Sequence, residues 1–170
     1  MSKRIFQAMS YTPTATADTL ALTNATYQAI NAGSATQNLD VIEIYIGGQA
    51  TSSAVNVMNF SRSSTIGIIP TALAAPNSDG FMYGSSAPVT TVPVCFVAAG
   101  TGPLRAATAT LPRLNLTHNA FGGIVRWVAA PGEEWTIIGQ AASTGESILS
   151  CGPTTGNVGL IGSHIVYELK

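Results

Sequence analysis

The sequence predicts an all-β fold, and three observations carry that reading. Apolar and polar residues alternate in several short runs. Gly, Pro and Asn clusters separate those runs at spacings of roughly ten residues, and no stretch sustains an i, i+3, i+4 apolar stripe. Roughly eight such runs with turn signals between them describe an antiparallel sandwich or barrel. Helix is expected over less than about a tenth of the chain, against about a third in an average domain.

The elements follow in order. Residues 4–9 read as a short strand or an arm, and YTPTATAD is a loop with a proline. DTLALTNATYQAINA, 18–32, is a Thr-rich strand with Leu20, Leu22 and Tyr27 pointing inward; helix competes there only because Ala is plentiful. In VIEIYIGG, Ile42, Ile44 and Ile46 fall on one face and Val41, Glu43 and Tyr45 on the other. Gly47-Gly48 reads as a turn or the start of a longer loop, and AVNVMNF, 54–60, as the returning strand. The two form a β-hairpin, or two strands joined by a sheet-crossing loop.

Ser61 to Pro103 carries five of the nine prolines, which interrupt ladders. Loops are expected there, with one short strand near Val94–Val97. A long irregular excursion of this kind forms contacts or carries function; ordered coil packed across the sheet is the plainer reading. Next comes a strand around Leu114–Leu116. In GGIVRWVAA, Val125 and Trp127 oppose Ile124, Arg126 and Val128. Pro131-Gly132 is a turn, and Trp135 and Ile137 share a face in the strand after it. ESILSCG is short. LIGSHIVYELK closes the chain, with Ile165, Tyr167 and Leu169 opposing His164, Val166 and Glu168. The expected core is Ile42, Ile44, Ile46, Val125, Trp127, Trp135, Ile137, Ile165 and Tyr167.

The 170 residues suit an N-terminal arm, 1–17, and a single β-sandwich domain, 18–170. With 46% hydrophobic residues the domain has material for a sizeable core. Charged residues are only 9%, against roughly a quarter in ordinary soluble domains. Lys3 and Lys170 are the only lysines, so the interior of the sequence has none. Such a surface is weakly hydrated and suited to being covered by neighbours. The net charge of −1 gives no bulk attraction for nucleic acid. No window is apolar enough for a membrane helix or a signal peptide. Synthesis in a cytosol is expected, which leaves the sequons at Asn24, Asn59 and Asn115 without significance. Cys95 and Cys151 read as free buried thiols, with a disulfide as the alternative.

Residues with catalytic or ligating chemistry are few. His118 and His164 are the only histidines, and no HxH, HExxH or CxxC spacing gives a metal site. Should a metal bind, these two are the first suspects. The nucleophile elbow G-x-S-x-G is absent. Glu133 and Glu134 are adjacent and would face opposite ways in a strand; Glu43 and Glu146 stand alone. GTGPL and GPTTGNVGLIG fit neither a P-loop nor a dinucleotide fingerprint. The aromatic residues Phe81, Tyr83, Phe96, Phe121, Trp127 and Trp135 are not interleaved with basic ones, as single-stranded nucleic acid would require. Arg62, Arg105, Arg113 and Arg126 are spread out, each suited to forked pairing with a carboxylate on another subunit. No catalytic, cofactor-binding or metal-ligating residue is expected, and no enzyme activity.

Taken together, LDVIEIYIGG followed by AVNVM, the proline-broken middle, GGIVRWVAAPGEEWTIIG and the final GSHIVYEL have a known counterpart. The arrangement resembles the jelly-roll head cement or decoration proteins of tailed bacteriophages, over residues 18–169. The resemblance implies an antiparallel jelly-roll sandwich and a homotrimer. It implies binding to the major capsid protein on the outside of the assembled head, and a stabilising role in the virion. No nucleic acid, membrane or cofactor belongs to that role. Two other classes stand beside it. A tail-fibre or spike head domain binding a host receptor or glycan would need an exposed aromatic platform, for which FMYG at 81–84 is the candidate. A cupin-like enzyme would need a His/Glu metal set that two isolated histidines do not supply.

Overall fold

The computed structural model describes residues 5–12, 28–31, 36, 38–63, 70–72, 78–80, 95–98, 114–139, 148–153 and 160–170. No described residue is helical. The strands are β1 (Ile5–Thr12), β2 (Gln28–Asn31), β3 (Leu39–Gln49), β4 (Val55–Ser63), β5 (Pro70–Ala72) and β6 (Ser78–Gly80). They continue as β7 (Cys95–Ala98), β8 (Leu114–Asn119), β9 (Phe121–Val128), β10 (Trp135–Ile137), β11 (Ile148–Pro153) and β12 (Leu160–Leu169).

Two antiparallel sheets result. One runs β10–β3–β12–β1–β6, with β9 also on β3; the other runs β5–β7–β2–β11–β4–β8. Leaving aside β5, β6 and β7, β1, β3, β9/β10 and β12 lie in one sheet and β2, β4, β8 and β11 in the other, so the chain crosses between sheets at every step except β4 to β8, which pair within one sheet. The orders β1–β12–β3–β9/β10 and β2–β11–β4–β8 are those of an eight-stranded jelly roll. The fold is an all-β antiparallel jelly-roll sandwich. The three short strands of the proline-rich excursion extend it on one side, β6 pairing with β1 and β7 with β2. The short strand expected near Val94–Val97 is β7.

Apolar inward faces explain the packing. Phe6, Ile30, Leu39, Val41, Ile44, Ile46, Met58, Phe60, Leu116, Ile137, Ile165 and Tyr167 form one buried cluster, and Val125, Trp127, Trp135 and Leu169 pack against it half-buried. The Phe6 and Tyr167 rings stack at 5.8 Å. One expected core residue is misplaced, because Ile42 is not in the cluster and Val41 is fully buried. The cause is a β-bulge: Val166 pairs with Glu43 and Tyr167 with Val41, so Ile42 is skipped. Alternation therefore changes phase, with Leu39 and Val41 inward before the bulge and Ile44 and Ile46 inward after it.

Four further expectations are refined. Gly47 and Gly48 lie within β3, and the loop that crosses to the other sheet is 50–54. Glycine is needed at 48 because a Cβ there would stand 2.9 Å from Ala120 Cα. β9 and β10 both run antiparallel to β3, end to end. Between them Glu133 N–H donates to Ala130 C=O at 2.9 Å, with Gly132 at φ 85°. That is a type II turn, with Pro131 and Gly132 at its two centres. Glu133 and Glu134 therefore sit in this turn and its exit, not in a strand. Finally, within the segment 1–17 read as an arm, residues 5–12 are β1, paired with β12 on one side and β6 on the other. Of the strand expected over 18–32, residues 28–31 are seen as β2; 18–27 lie outside the described residues.

The cysteines are separated by topology. Cys95 pairs with Ile30, Cys151 with Gln28, and β2 runs between their strands. Two strand spacings are about 9.6 Å, beyond the roughly 7 Å Cα separation a disulfide spans. They do not bridge within the chain.

Candidate interaction surface

The outer face of the β9–β3–β12 sheet gathers most of the described polar chemistry. Arg126 and Tyr45 are cross-strand partners, and Tyr45 faces His164 on the other side. Arg126 donates to Glu43 through Nε at 3.2 Å and through Nη2 at 2.9 Å, a forked ion pair. The Tyr45 hydroxyl donates to Glu43 Oε2 at 2.5 Å. The guanidinium lies 5.3 Å from the Tyr45 ring centre, and the Tyr45 and His164 rings are 5.5 Å apart.

Burial alone would raise the Glu43 pKa. The Tyr45 hydroxyl and the Arg126 guanidinium outweigh it and hold the carboxyl below its ordinary range. Accepting from Tyr45, Glu43 pushes the phenol up, and it pushes the Arg126 guanidinium up likewise. Arg126 is thus engaged within its own chain, although its side chain remains 53% exposed. The expectation that it pairs across a subunit boundary is answered by a local partner. The Arg62 side chain and residues 105 and 113 lie outside what is described.

Beside this neutralised centre, β9 exposes apolar side chains. On the same face of β9, Ile124 is 79% exposed and Val128 is exposed as well, flanking Arg126. Phe121 at the start of β9, Val55 at the start of β4 and Ile138 after β10 add exposed apolar side chains. Sequence periodicity placed Ile124, Arg126 and Val128 on one face, but nothing in it showed that their side chains stay exposed.

The end of the sandwich beside this face is tightly built. The β8–β9 corner, Asn119-Ala120, is fastened to the β3–β4 loop. Ala120 N–H donates to Ala54 C=O at 2.8 Å and Ala50 N–H to Ala120 C=O at 2.9 Å. Asn119 Oδ1 accepts from Phe121 N–H at 2.9 Å and from Ala54 N–H at 3.3 Å; its Nδ2 donates to Ser53 Oγ at 2.9 Å. At the other end of β3, Asp40 is buried, bonded to Lys170 and accepting from the Thr136 hydroxyl at 2.6 Å.

The fold does not bring the two histidines together. His118 lies buried between the sheets on β8, whereas His164 is on the outer face of β12 beside Tyr45. Among the described residues no three His, Cys, Asp or Glu side chains converge as a metal site. No helix among them is long and apolar enough to cross a membrane. FMYG at 81–84, the candidate aromatic platform, lies outside the described residues.

No family model matches the chain, and no curated protein matches it. Solved structures with some likeness include Triatoma virus, at 9% identity and TM-score 0.24, over 95% of this chain and 62% of that one. A decameric BFDV capsid protein is similar at 10% identity and TM-score 0.22, over 99% and 98% of the two chains. Infectious bursal disease virus, Gt strain, gives 12% identity and TM-score 0.17, over 98% of this chain and 40% of that one. The jelly-roll assignment itself stands on the strand order.

Proposed function

We propose that the chain is a virion structural protein without enzymatic activity. In this reading it is a cement or decoration protein that binds the outside of an assembled bacteriophage head as a homotrimer. The observation that carries the proposal is the outer face of β9, where Ile124 and Val128 are exposed and the intervening Arg126 is neutralised by Glu43. A face of this kind gains by being covered, at about 25 cal/mol per Å² of apolar surface removed from water. A jelly roll also presents a rigid flank, so ordering it on a neighbour costs little, and identical flanks can close around a threefold axis. The resemblance to phage cement proteins supplies the capsid partner. The low charge of the chain favours association over life as a solitary domain.

The protein is then made in the bacterial host cytoplasm and resides on the head surface. Light scattering of the purified protein should report three copies, and sedimentation with intact heads should show it bound. Virions lacking it should release their DNA at lower temperature than wild type. A monomer that ignores intact heads, with virion stability unchanged by its loss, overturns the proposal. Loss of a tail appendage on deletion would assign the chain to a fibre instead.

A further inference from the structure

His118 occupies an unusual place for a titratable group. It is 6% exposed, on the inward face of β8, and neither ring nitrogen meets a hydrogen-bond partner among the described residues. Along that face Leu114 and Leu116 lead toward the core, and His118 is the last inward position before the Asn119-Ala120 corner. Opposite it in the ladder is Asn56 of β4, buried and uncharged. From the other sheet, the inward positions of this end are Ile46 and Gly48 on β3, Ser163 on β12, and Gly123 and Val125 on β9. None is ionisable. Glu43, Arg126 and His164 lie on the outer face of that sheet.

We propose that His118 is a proton-operated latch, whose protonation between the sheets releases the β8–β9 corner from the β3–β4 loop. One ring nitrogen takes a proton from solvent and the ring becomes a cation with no counter-charge among these neighbours. A charge so placed must reach water. The near exit is the end of the sandwich, closed by the few backbone and Asn119 hydrogen bonds described above, whereas the opposite direction leads into the core cluster. Burial is also the reason the folded His118 holds its proton less tightly than an ordinary imidazole.

The sign follows. Above about pH 6.5 the ring is neutral whether the corner is closed or open, and the latch is fully shut. Below that, the open form binds the extra proton, so closure weakens progressively, approaching tenfold per pH unit, until the closed form also titrates.

Hydrogen exchange, corrected for the intrinsic pH dependence, tests this on the whole chain at pH 7.5, 6.5 and 5.5. Protection of residues 50–56 and 118–123 should fall about tenfold between pH 7.5 and 5.5, about fivefold of it below pH 6.5, while the central β3–β12 ladder stays protected. The H164Q protein should behave the same way, and H118Q should lose the pH dependence. If H118Q does not fold, the single imidazole of H164Q is followed by NMR instead. It should titrate below pH 6.5, in step with corner exchange. Corner protection that is constant with pH, pH dependence retained in H118Q, or an imidazole titrating at pH 6.5 with the corner closed overturns the latch.

Discussion

Replacing Gly123 by Ala should cost more than its single methyl group suggests. A Cβ at 123 would stand 2.4 Å from the Asn119 carbonyl oxygen and 3.0 Å from its nitrogen. Flexible side chains could yield at that distance, but this neighbour is backbone. Asn119 is fixed by its ladder pairing with Val55 and by its side-chain bonds to Ser53, Ala54 and Phe121. Overpacking of this kind costs about 1–3 kcal/mol, and a locked neighbour argues for the upper end. At about 2–4 °C per kcal/mol for a chain of this size, the midpoint should fall by roughly 6–12 °C. Gly122→Ala is the control. That residue has φ 75° with nothing within 4 Å of its Cβ position, so it meets only left-handed strain of about 1–2 kcal/mol. Thermal melts followed by circular dichroism, with urea titration for the free energy, separate the two. A Gly123→Ala protein melting within about 1 °C of wild type, or above Gly122→Ala, would refute the steric argument.

The bulge predicts that Val41→Ala is the costlier of two neighbouring changes, because Val41 is in the core and Ile42 is the skipped residue; urea titration should show the order reversed from simple alternation. Ile44→Ala, a fully buried truncation, should cost about 2–5 kcal/mol by the same measurement. Glu43 has its folded pKa lowered, so its contribution is present above its unfolded pKa and is lost as pH falls through the folded value. Arg126→Ala should shrink that acid-range dependence while costing only about 0.2–1 kcal/mol at neutral pH, read from denaturation midpoints between pH 3 and 7. Ile124→Asp should leave the melting temperature close to wild type and weaken self-association or head binding roughly tenfold or more; unchanged association would remove β9 from the interface. Both thiols should react with a thiol reagent in denaturant without reductant.

Legibility in the sequence followed the range of the interactions involved. Alternation placed Ile44, Ile46, Ile137, Ile165 and Tyr167 in the core, since each obeys a period of two set by its own strand. It failed at Ile42, because a bulge is decided by the partner strand: only the step between Val166 and Tyr167 on β12 shows that one residue of β3 is skipped. Gly48 read as a turn for a similar reason. Its small size answers the approach of Ala120, some seventy residues away, and not a local change of direction. Val125, Arg126 and Val128 were assigned to their correct faces, but the Arg126 partner was sought on another subunit. Glu43 is distant from Arg126 in sequence, and only the register, with Arg126 opposite Tyr45 on β3, brings the two together. His118 was legible as a histidine near a turn and illegible as a buried one.

Among the described residues the two flanks of the sandwich have unlike edges. An open strand edge is a template for pairing with another chain, and folds that avoid it keep edge strands short or place proline and charge on them. On the side of β1 and β2, the edges are β6 and β5, three residues each, one carrying Asp79 and the other opening on Pro70. On the opposite side, the edges are β8, six residues, and β9, eight residues, with neither Lys nor Pro in either. The proline-rich excursion therefore guards one flank by adding short strands to both sheets. Among the described residues the other flank is longer: β8 exposes Asn115, Thr117 and Asn119, and β9 exposes Ile124 and Val128 around Arg126, which is paired with Glu43. A solitary domain would have reason to guard both flanks alike. If the proposed assembly forms, the β8/β9 flank is therefore where a neighbour would be expected to pair, and the β5/β6 flank is not.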